Sequence, residues 1–330
     1  MVRVLYVVER TFMRKTFEAI DRHVEAESAY VPVRPEAVGC SEAIPAVGVD
    51  DVTDVDRHVR AVDPDVVVYN HRFRVDEVDF YDDYPLVHVR HGASIGRGEI
   101  ETTAELTGQA VDAALAPGER WARRYAEVYP DDVDVSVVGV PEADELVAAE
   151  PPDEKRVLYA PTNHNYGGGS YVNTAREVLD LFADTDYELL FRPHPMDRKE
   201  EPGKSLTAEC RERIADLPNV TFDDDETPMA GMRRADLLLS DYSGIVAEWL
   251  HTGRPLVQFT DVAADENEVP KIGYTTSVSD LTIEDIDALY ERGYPDRVAE
   301  READFRADLG IPMDGRAGER AAAEVLTCAQ

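Results

Sequence analysis

The chain is poor in lysine, cysteine and long apolar runs, and each scarcity excludes a class of protein. Its 330 residues include 5 lysines and 3 cysteines. Cys40, Cys210 and Cys328 are far apart in the sequence, so neither a disulfide framework nor a zinc site is expected. No apolar run approaches the ~18 residues of a membrane-spanning helix, and the N-terminus begins directly with a strand pattern. We therefore expect a cytoplasmic protein with neither a signal peptide nor a membrane span.

Basic residues are scarce relative to acids. The 68 Asp and Glu residues against 34 Lys and Arg give a net charge of -34, spread along the whole chain. Without a basic stripe, nonspecific binding to nucleic acid is not expected, and contact with the inner face of a membrane should be peripheral at most. An evenly acidic, lysine-poor surface is typical of cytosolic proteins from salt-loving microbes, because salt screens the self-repulsion. We favour this halophilic interpretation over an acidic face for a basic partner, since no single acidic block dominates.

Short apolar runs alternate with amphipathic segments, which predicts an α/β fold with parallel sheets and helices on both faces. In the first half, strands are predicted at residues 2–8, 66–69, 86–89, 113–115 and 135–138, and helices at 11–20, 119–128 and 142–148. In the second half, strands are predicted at 157–159, 187–191, 220–222, 237–239 and 256–259, and helices at 171–182, 206–216, 243–251 and, in the tail from 283, ending with 316–326.

The polar, proline-rich segment Glu150-Pro151-Pro152-Asp153-Glu154 predicts a domain boundary. We therefore predict two Rossmann-type domains, residues 1–150 and 151–330, with the last helix packing back on the first. The chain has neither a Gly-x-Gly-x-x-Gly fingerprint nor a Walker loop, which disfavours dehydrogenases and P-loop proteins. The run Gly167-Gly168-Gly169 is interpreted as a flexible loop rather than a phosphate cradle.

The segment from 236 to 249 is the most informative. An apolar strand is followed by the polar turn Ser240-Asp241-Tyr242-Ser243-Gly244 and then by apolar residues at helical spacing. Such a turn directs N–H groups and hydroxyls to one point, and a helix N-terminus favours an anion there. Asp241 and Ser243 could also be simple helix caps, which is compatible with anion binding. Glu248 could accept hydrogen bonds from ribose hydroxyls or be a solvated helix glutamate.

Arg192 and His194 follow another apolar strand, in Arg192-Pro193-His194-Pro195. At the carboxyl end of a strand, where open α/β sheets bind ligands, arginine suits forked contacts to phosphate oxygens. His194 could donate a hydrogen bond to phosphate or protonate a leaving group, although a surface histidine after a core strand is the alternative. Together with the turn at Ser243, these residues predict a site for a diphosphate-bearing substrate.

Three further residues are candidates. His91 follows a strand and precedes glycine, where a neutral imidazole could accept a proton from an attacking hydroxyl, whereas His88 in mid-strand is more consistent with the core. Thr162 and His164 follow the first strand of the second half and could contact a donor or begin a turn. Acidic runs such as Asp223-Asp224-Asp225 are explained by the composition, so no metal site is predicted.

Several of these segments, in this order, resemble the CDP-glycerol glycerophosphotransferase family of teichoic-acid primases and polymerases. The resemblance is strongest from about His91 to the C-terminus, and the stretch around Ser240 to Ser243 is its most specific part. The matching pieces are Val89-Arg90-His91-Gly92, Val138-Gly139-Val140-Pro141 with Asp144, Ala160-Pro161-Thr162, Arg192-Pro193-His194-Pro195, residues 236–248, and Pro312-Met313-Asp314-Gly315-Arg316-Ala317.

The resemblance implies a GT-B architecture, in which two Rossmann-like domains face each other across a cleft. It implies transfer of a polyol phosphate from a CDP-linked donor to a lipid- or glycan-linked acceptor hydroxyl in cell-surface polymer synthesis, with release of CMP and no cofactor. The N-terminal domain would bind the acceptor and the C-terminal domain the donor. His91 would be the general base, His194 would contact the diphosphate and assist the leaving group, and Ser243 would hold donor phosphates.

The chain departs from the family pattern at three positions. Gly244 stands where a second serine is usual, Arg97 is the nearest cation where a lysine usually follows the His-Gly pair, and His164 stands near a usual arginine. These departures leave the transferred polyol or sugar open. A GT-B glycosyltransferase or UDP-sugar 2-epimerase is the alternative enzyme, distinguished by its products, and a noncatalytic nucleotide-sugar binding protein is the third possibility.

Overall fold

The computed structural model describes residues 2–8, 13–32, 53–70, 78–90, 92–93, 111–147, 149–150, 155–165, 168–225, 227–262 and 270–330. These residues form two compact units. The first combines the described residues up to Ala93, those from 111 to Glu145, and the segment from Asp308 to Gln330, whereas the second runs from Leu146 to Ala307. Within these residues, no helix has both the length and the hydropathy needed to cross a bilayer.

A six-stranded parallel sheet forms the centre of the first unit, in the order β2-β1-β3-β4-β5-β6. Its strands are β1 (Arg3–Val8), β2 (Glu27–Pro32), β3 (Val66–Tyr69), β4 (Leu86–Val89), β5 (Ala113–Ala116) and β6 (Asp134–Val137). Its helices are α1 (Arg14–Asp21), α2 (Thr53–Val62), α3 (Glu119–Val128), the start of α4 (Asp144–Val147), which ends in the second unit, and, from the C-terminus, α11 (Ala317–Cys328), with 3-10 turns at Phe80–Asp82 and Pro141–Ala143.

The second unit also has a six-stranded parallel sheet, in the order β12-β11-β10-β7-β8-β9. Its strands are β7 (Arg156–Tyr159), β8 (Glu188–Phe191), β9 (Val220–Phe222), β10 (Leu237–Ser240), β11 (Leu256–Phe259) and β12 (Tyr274–Thr276). Its helices are α5 (Tyr171–Phe182), α6 (Gly203–Ile214), α7 (Met229–Arg234), α8 (Ile245–Trp249), α9 (Ile283–Arg292) and α10 (Asp296–Leu309), the last of which ends in the first unit, with a 3-10 turn at Leu250–Thr252.

Both sheets are covered on two faces, which explains their nearly continuous apolar strands. Side chains alternate across β1: Tyr6 packs in the same cluster as Phe17 of α1 and Val325 of α11, whereas Leu5 packs with Val59 of α2 on the opposite face. The central strands were predicted for this reason. The two strands that sequence reasoning missed, β2 and β12, lie at sheet edges and are partly exposed, so they lack a long buried run.

Two predicted helices differ from the structure. The helix predicted at 142–148 is a 3-10 turn, Pro141–Ala143, followed by the single helical turn of α4. The helix predicted at 243–251 is limited to the five residues of α8 and continues as the 3-10 turn Leu250–Thr252, after which Gly253 takes a positive φ of 66°. Because α8 is short, its macrodipole contributes less to anion binding than the sequence pattern indicated.

The last helix is fixed to the rest of the first unit by polar contacts at its N-terminus. The Asp144 carboxylate accepts the N–H groups of Ala317 at 3.0 Å and of Gly318 at 2.7 Å. The Arg320 guanidinium donates to the Val138 carbonyl at 2.8 Å. Two N–H groups without an intrahelical acceptor are thereby satisfied by a residue more than 170 positions away in sequence.

Replacement of Asp144 by alanine should therefore lower the free energy of unfolding by about 1–2 kcal/mol, the usual cost of a lost helix cap. Urea unfolding in molar potassium chloride measures this change. Asp131→Ala is the matched control, because it removes the same charge from an exposed residue of the same unit. It should change stability by less than about 0.5 kcal/mol; equal losses in both variants would contradict the capping role of Asp144.

Candidate functional site

The candidate site lies where the strand order of the second sheet reverses. Counted within the unit, β12-β11-β10-β7-β8-β9 is the doubly wound order, and its switch point falls between β7 and β10. The carboxyl ends of these two strands lead into Thr162 and into the turn Asp241 to Ser243, and the next strand, β8, leads into Arg192 and His194. The topology thus brings the predicted donor-binding segments of the second unit to one edge of one sheet.

Asp241 organises this edge. Its carboxylate accepts the N–H groups of Thr162 and Ser243, each at 3.0 Å, and both the N–H and the hydroxyl of Ser170, each at 2.9 Å. Asp241 has no exposed surface, and burial raises its pKa while these hydrogen bonds oppose the rise. Three segments, after β7, before α5 and before α8, therefore converge on one buried anion. The structure gives Asp241 a positioning role, and direct ligand contact by its side chain stays a prediction.

The turn after Asp241 presents a small, accessible surface. Ser243 is nearly buried, with its N–H committed to Asp241, whereas Gly244 is exposed at the N-terminus of α8. Gly244 has an ordinary φ of -55°, and a Cβ added there would meet nothing within 4 Å. Glu248, in the same helix, is 4% exposed, so its interpretation as a solvated helix glutamate is wrong. Its proposed contact with ribose stays a prediction.

His194 is held in one tautomer. Its Nδ1 accepts the N–H of Met196 at 3.2 Å, and the side-chain amide nitrogen of Asn163 lies 3.5 Å from the same nitrogen. Since both neighbours are N–H donors, a neutral ring is assigned its proton on Nε2. Burial lowers the pKa of His194 to about 4, and repulsion from Arg198 and Arg192 adds to the decrease. At neutral pH the residue is therefore a neutral imidazole that offers one hydrogen-bond donor, Nε2–H.

Arg192 is less available than the sequence indicated. It is buried with Asp223, whose Oδ1 lies 3.1 Å from its Nη1, and its Nη2 donates to the Asp225 carbonyl at 2.9 Å. A guanidinium paired with a buried carboxylate offers little net charge to a ligand. A contact between Arg192 and the donor stays a prediction, whereas its role in holding the end of β8 against the segment after β9 is visible in the structure.

Sequence reasoning missed three residues of this edge. Asn163 is buried beside His194, and Asp197 has no exposed surface and accepts the His164 N–H at 3.3 Å. Burial raises the pKa of Asp197 to about 6. Gly169 was dismissed as part of a plain loop, yet a Cβ there would lie 2.4 Å from Thr162 Cγ2. Asp197 follows His194 by three residues, but in a chain with 68 acids this spacing is not distinctive.

The remaining predicted residues divide into two groups. His164 is partly exposed, and its Nδ1 lies 3.4 Å from the Gly169 carbonyl oxygen, so it lies in the loop beside Thr162. His91 and Arg97 lie outside the described residues. Gly92, which directly follows His91, donates its N–H to the buried Glu142 carboxylate at 2.8 Å.

His88 is 1% exposed and packs edge-on against Tyr69, as expected for a core histidine. Within the part of the chain that the structure describes, no group of three or more His, Cys, Asp or Glu residues has the arrangement of a metal site.

The chain matches a known protein family. A family model described as CDP-Glycerol:Poly(glycerophosphate) glycerophosphotransferase matches residues 62–266, which is more than half of the chain. The matched region contains the whole edge described above, from Thr162 to Glu248. No curated protein matches the chain at a significant level.

Solved structures support the same architecture. The wall teichoic acid polymerase TagF is 13% identical, with a TM-score of 0.66 over 99% of this chain and 88% of the polymerase chain. A putative UDP-N-acetylglucosamine 2-epimerase from Listeria monocytogenes is 16% identical, with a TM-score of 0.68 over 98% of this chain and 95% of that chain. A UDP-GlcNAc 2-epimerase from Neisseria meningitidis, bound to UDP-GlcNAc, is 16% identical, with a TM-score of 0.63 over 99% of this chain and 100% of that chain. At these identities the likeness shows the fold alone, and the predicted α/β, GT-B-like class is confirmed.

Replacement of Asp241 by asparagine should destabilise the protein and disorganise the site. The amide retains one acceptor oxygen, so in either orientation its N–H₂ group faces at least one backbone N–H and that contact becomes repulsive, while the charge that strengthens the others is lost. We expect a loss of about 3 kcal/mol or more in the free energy of unfolding, measured by urea unfolding. Asp236→Asn is the control, because Asp236 directly precedes β10, at its other end, and among the described residues its carboxylate accepts one N–H, that of Arg156. Similar losses for both variants would contradict the organising role of Asp241.

Replacement by serine should affect stability differently at two glycines of the edge. Gly244→Ser has open space and an unstrained backbone, so stability should change by less than about 0.5 kcal/mol. Gly169→Ser places its Cβ 2.5 Å from the Thr162 carbonyl oxygen, so it should cost about 1–3 kcal/mol. Thermal unfolding of the two variants measures the difference. Equal behaviour would show that the loop containing Gly169 is not packed on Thr162 as described.

Proposed function

This chain belongs to the CDP-glycerol:poly(glycerophosphate) glycerophosphotransferase family, and on that premise we propose that it transfers a polyol phosphate from a CDP-linked donor to an acceptor hydroxyl, with release of CMP. The observation that carries the proposal is that Thr162 and Ser243 meet at the switch point of a doubly wound sheet, with His194 at the end of the adjacent strand β8. The proposed acceptor is lipid- or glycan-linked, in the synthesis of a cell-surface polymer.

The donor class is supported by a relative and by the local chemistry. A variant of the polymerase TagF has been solved after a soak with CDPG. In the present chain, the hydroxyl of Ser243 and the first amides of α8, at Gly244 and Ile245, are proposed to bind donor phosphates, since first-turn amides have no intrahelical acceptor. Thr162 and Glu248 are proposed to contact the donor, with Glu248 on the ribose hydroxyls.

The proposed reaction is a single displacement at phosphorus. The acceptor oxygen forms a bond to the phosphorus that carries the polyol, and the bond from this phosphorus to the bridging oxygen breaks. The bridging oxygen leaves with its electron pair as part of CMP. His91 is proposed to accept the proton of the acceptor hydroxyl.

His194 is proposed to stabilise the leaving phosphate by hydrogen bonding rather than by giving up its proton. A phosphate monoester has a second pKa of about 6, so CMP can leave at neutral pH without full protonation. The neutral imidazole of His194 has its Nδ1 occupied by the Met196 N–H, which leaves Nε2–H to donate to the charge that develops on the leaving oxygen. A fixed donor of this kind supplies transition-state stabilisation without reorganisation.

The first test is incubation of the purified protein with CDP-glycerol in molar potassium chloride, with chromatography for CMP. The high salt matches the halophilic composition inferred from the charge of -34. CMP formed by the wild type, and strongly reduced in His194→Ala, is the expected result. Release of UDP from a UDP-sugar, or an epimerised sugar, would instead favour the second candidate, a UDP-sugar enzyme, which is supported by the similar fold of the UDP-GlcNAc-bound epimerase.

The role of His194 predicts an order among its variants. Glutamine can place an N–H donor near the position of Nε2, whereas asparagine places its amide near Nδ1, so His194→Gln should retain at least about tenfold more activity than His194→Asn. His194→Ala should lose about 100- to 1,000-fold in kcat. Thermal unfolding of each variant controls for misfolding.

The pH dependence of kcat/KM distinguishes a His194 that only donates a hydrogen bond from a His194 that acts as a general acid. The acid limb of kcat/KM should be the same in wild type and His194→Gln, because a residue with a pKa of about 4 is neutral across that limb. If glutamine is as inactive as alanine, His194 acts as a proton donor and the proposed role is contradicted.

A further inference from the structure

Arg198 lies beside His194 and was not singled out in the sequence. Its Nε donates to the Pro193 carbonyl at 3.1 Å and its Nη2 to the Asp223 carbonyl at 3.0 Å. Pro193 directly precedes His194, so the first contact ties the guanidinium to the segment that carries the histidine. Both arginines lower the pKa of His194 by repulsion, and the effect of Arg198 is larger than that of Arg192.

Among the described residues, no acidic side chain forms an ion pair with Arg198. Both of its hydrogen-bond acceptors are backbone carbonyls, which carry no formal charge, and its Nη1 makes no hydrogen bond to any described residue. The neighbouring acid, Asp223, pairs with Arg192 through its side chain. The carboxylate of Asp223 is thus bonded to Arg192, while Arg198 contacts the backbone carbonyl of the same residue.

The environment of Arg198 is suited to an anion. The guanidinium is half-buried and stacks 5.6 Å from the centre of the Phe222 ring. Burial, followed by repulsion from Arg192, lowers the pKa of Arg198, and attraction to Asp223 and Asp224 opposes the decrease. A ligand with negative charge near Nη1 would offset the cost of burial and would gain a charge-assisted hydrogen bond.

We propose that Arg198, rather than Arg192, is the arginine that binds the diphosphate of the nucleotide donor, with His194 Nε2–H as its neighbour. This assignment rests on the proposed function. Arg192 then acts as a positioning residue, because its ion pair with Asp223 fixes the carbonyl to which Arg198 is anchored. Arg198 is suited to a directed contact from Nη1, since its other two nitrogens are fixed by the carbonyls of Pro193 and Asp223.

The competing role for Arg198 is purely structural, as a strap between the segments at Pro193 and Asp223. Binding measurements separate the two roles. The probes are CDP and CMP, titrated calorimetrically into wild type, Arg198→Met and Arg198→Lys, with thermal unfolding of each variant. Arg211→Met is the matched control, because Arg211 stacks on the same ring at 3.7 Å but is exposed and paired with Asp224 at 3.0 Å.

We expect Arg198→Met to weaken CDP binding by about 10- to 100-fold, the range for a lost charge-assisted hydrogen bond, and to weaken CMP binding by less. Arg198→Lys should recover part of the CDP affinity, and Arg211→Met should bind CDP like the wild type. Unchanged CDP affinity in Arg198→Met, or equal losses for CDP and CMP together with a lower Tm, would overturn the assignment in favour of the structural strap.

The outcome is separable from that of the proposed function. A wild type that binds CDP but forms no CMP from CDP-glycerol would contradict the proposed reaction and leave the Arg198 assignment open to the same variant comparison. A wild type that binds UDP and not CDP would contradict the proposed donor, and the variant series titrated with UDP and UMP would then decide the role of Arg198.

Discussion

The buried carboxylate of Asp241 is the interaction on which the site depends. A charge without exposed surface is costly unless donors surround it, and Thr162, Ser170 and Ser243 provide those donors from three separate segments. The same hydrogen bonds that stabilise the anion therefore fix the loop after β7, the start of α5 and the start of α8. Gly169 allows the first two segments to approach closely, because any larger residue would contact Thr162. The strand order of the sheet determines where the site lies, and the hydrogen bonds of Asp241 determine how its loops are arranged.

Around this frame, the structure assigns different electrostatic roles to side chains of the same type. Arg192 is buried and paired with the Asp223 carboxylate, whereas the contacts of Arg198 with described residues are to the backbone carbonyls of Pro193 and Asp223. His194 is held neutral by burial and by two nearby arginines, and the Met196 N–H selects the tautomer in which Nε2 is the donor. Such an edge is suited to an anionic ligand whose leaving group is stabilised by hydrogen bonds and does not have to be protonated. In a protein with a net charge of -34, the guanidinium groups at this edge would reduce the repulsion that a diphosphate meets from the surrounding acids.

The sequence predicted the architecture well because buried parallel strands are continuous apolar runs and amphipathic helices alternate with them. Six elements have the predicted bounds: Val66–Tyr69, Leu86–Val89, Glu119–Val128, Tyr171–Phe182, Val220–Phe222 and Leu256–Phe259. The edge strands β2 and β12 were missed because partial exposure removes that pattern. At the site, sequence order located the turns but not the partners of their side chains. These partners depend on contacts between segments that are distant in sequence. Such contacts turn Asp241 inward, pair Arg192 with Asp223 and leave Arg198 bonded to carbonyls. Asp197 was also missed, because the sequence contains many acids and Asp197 differs from most of them by its burial, which the sequence does not show.

The most direct test of this account is a crystal structure of the protein with CDP bound. The account predicts the diphosphate at the carboxyl ends of β7, β8 and β10, with a phosphate oxygen within hydrogen-bonding distance of His194 Nε2 and with His194 Nδ1 still bonded to the Met196 N–H. A nucleotide bound away from this edge, or a His194 ring rotated so that Nδ1 contacts the phosphate, would contradict it.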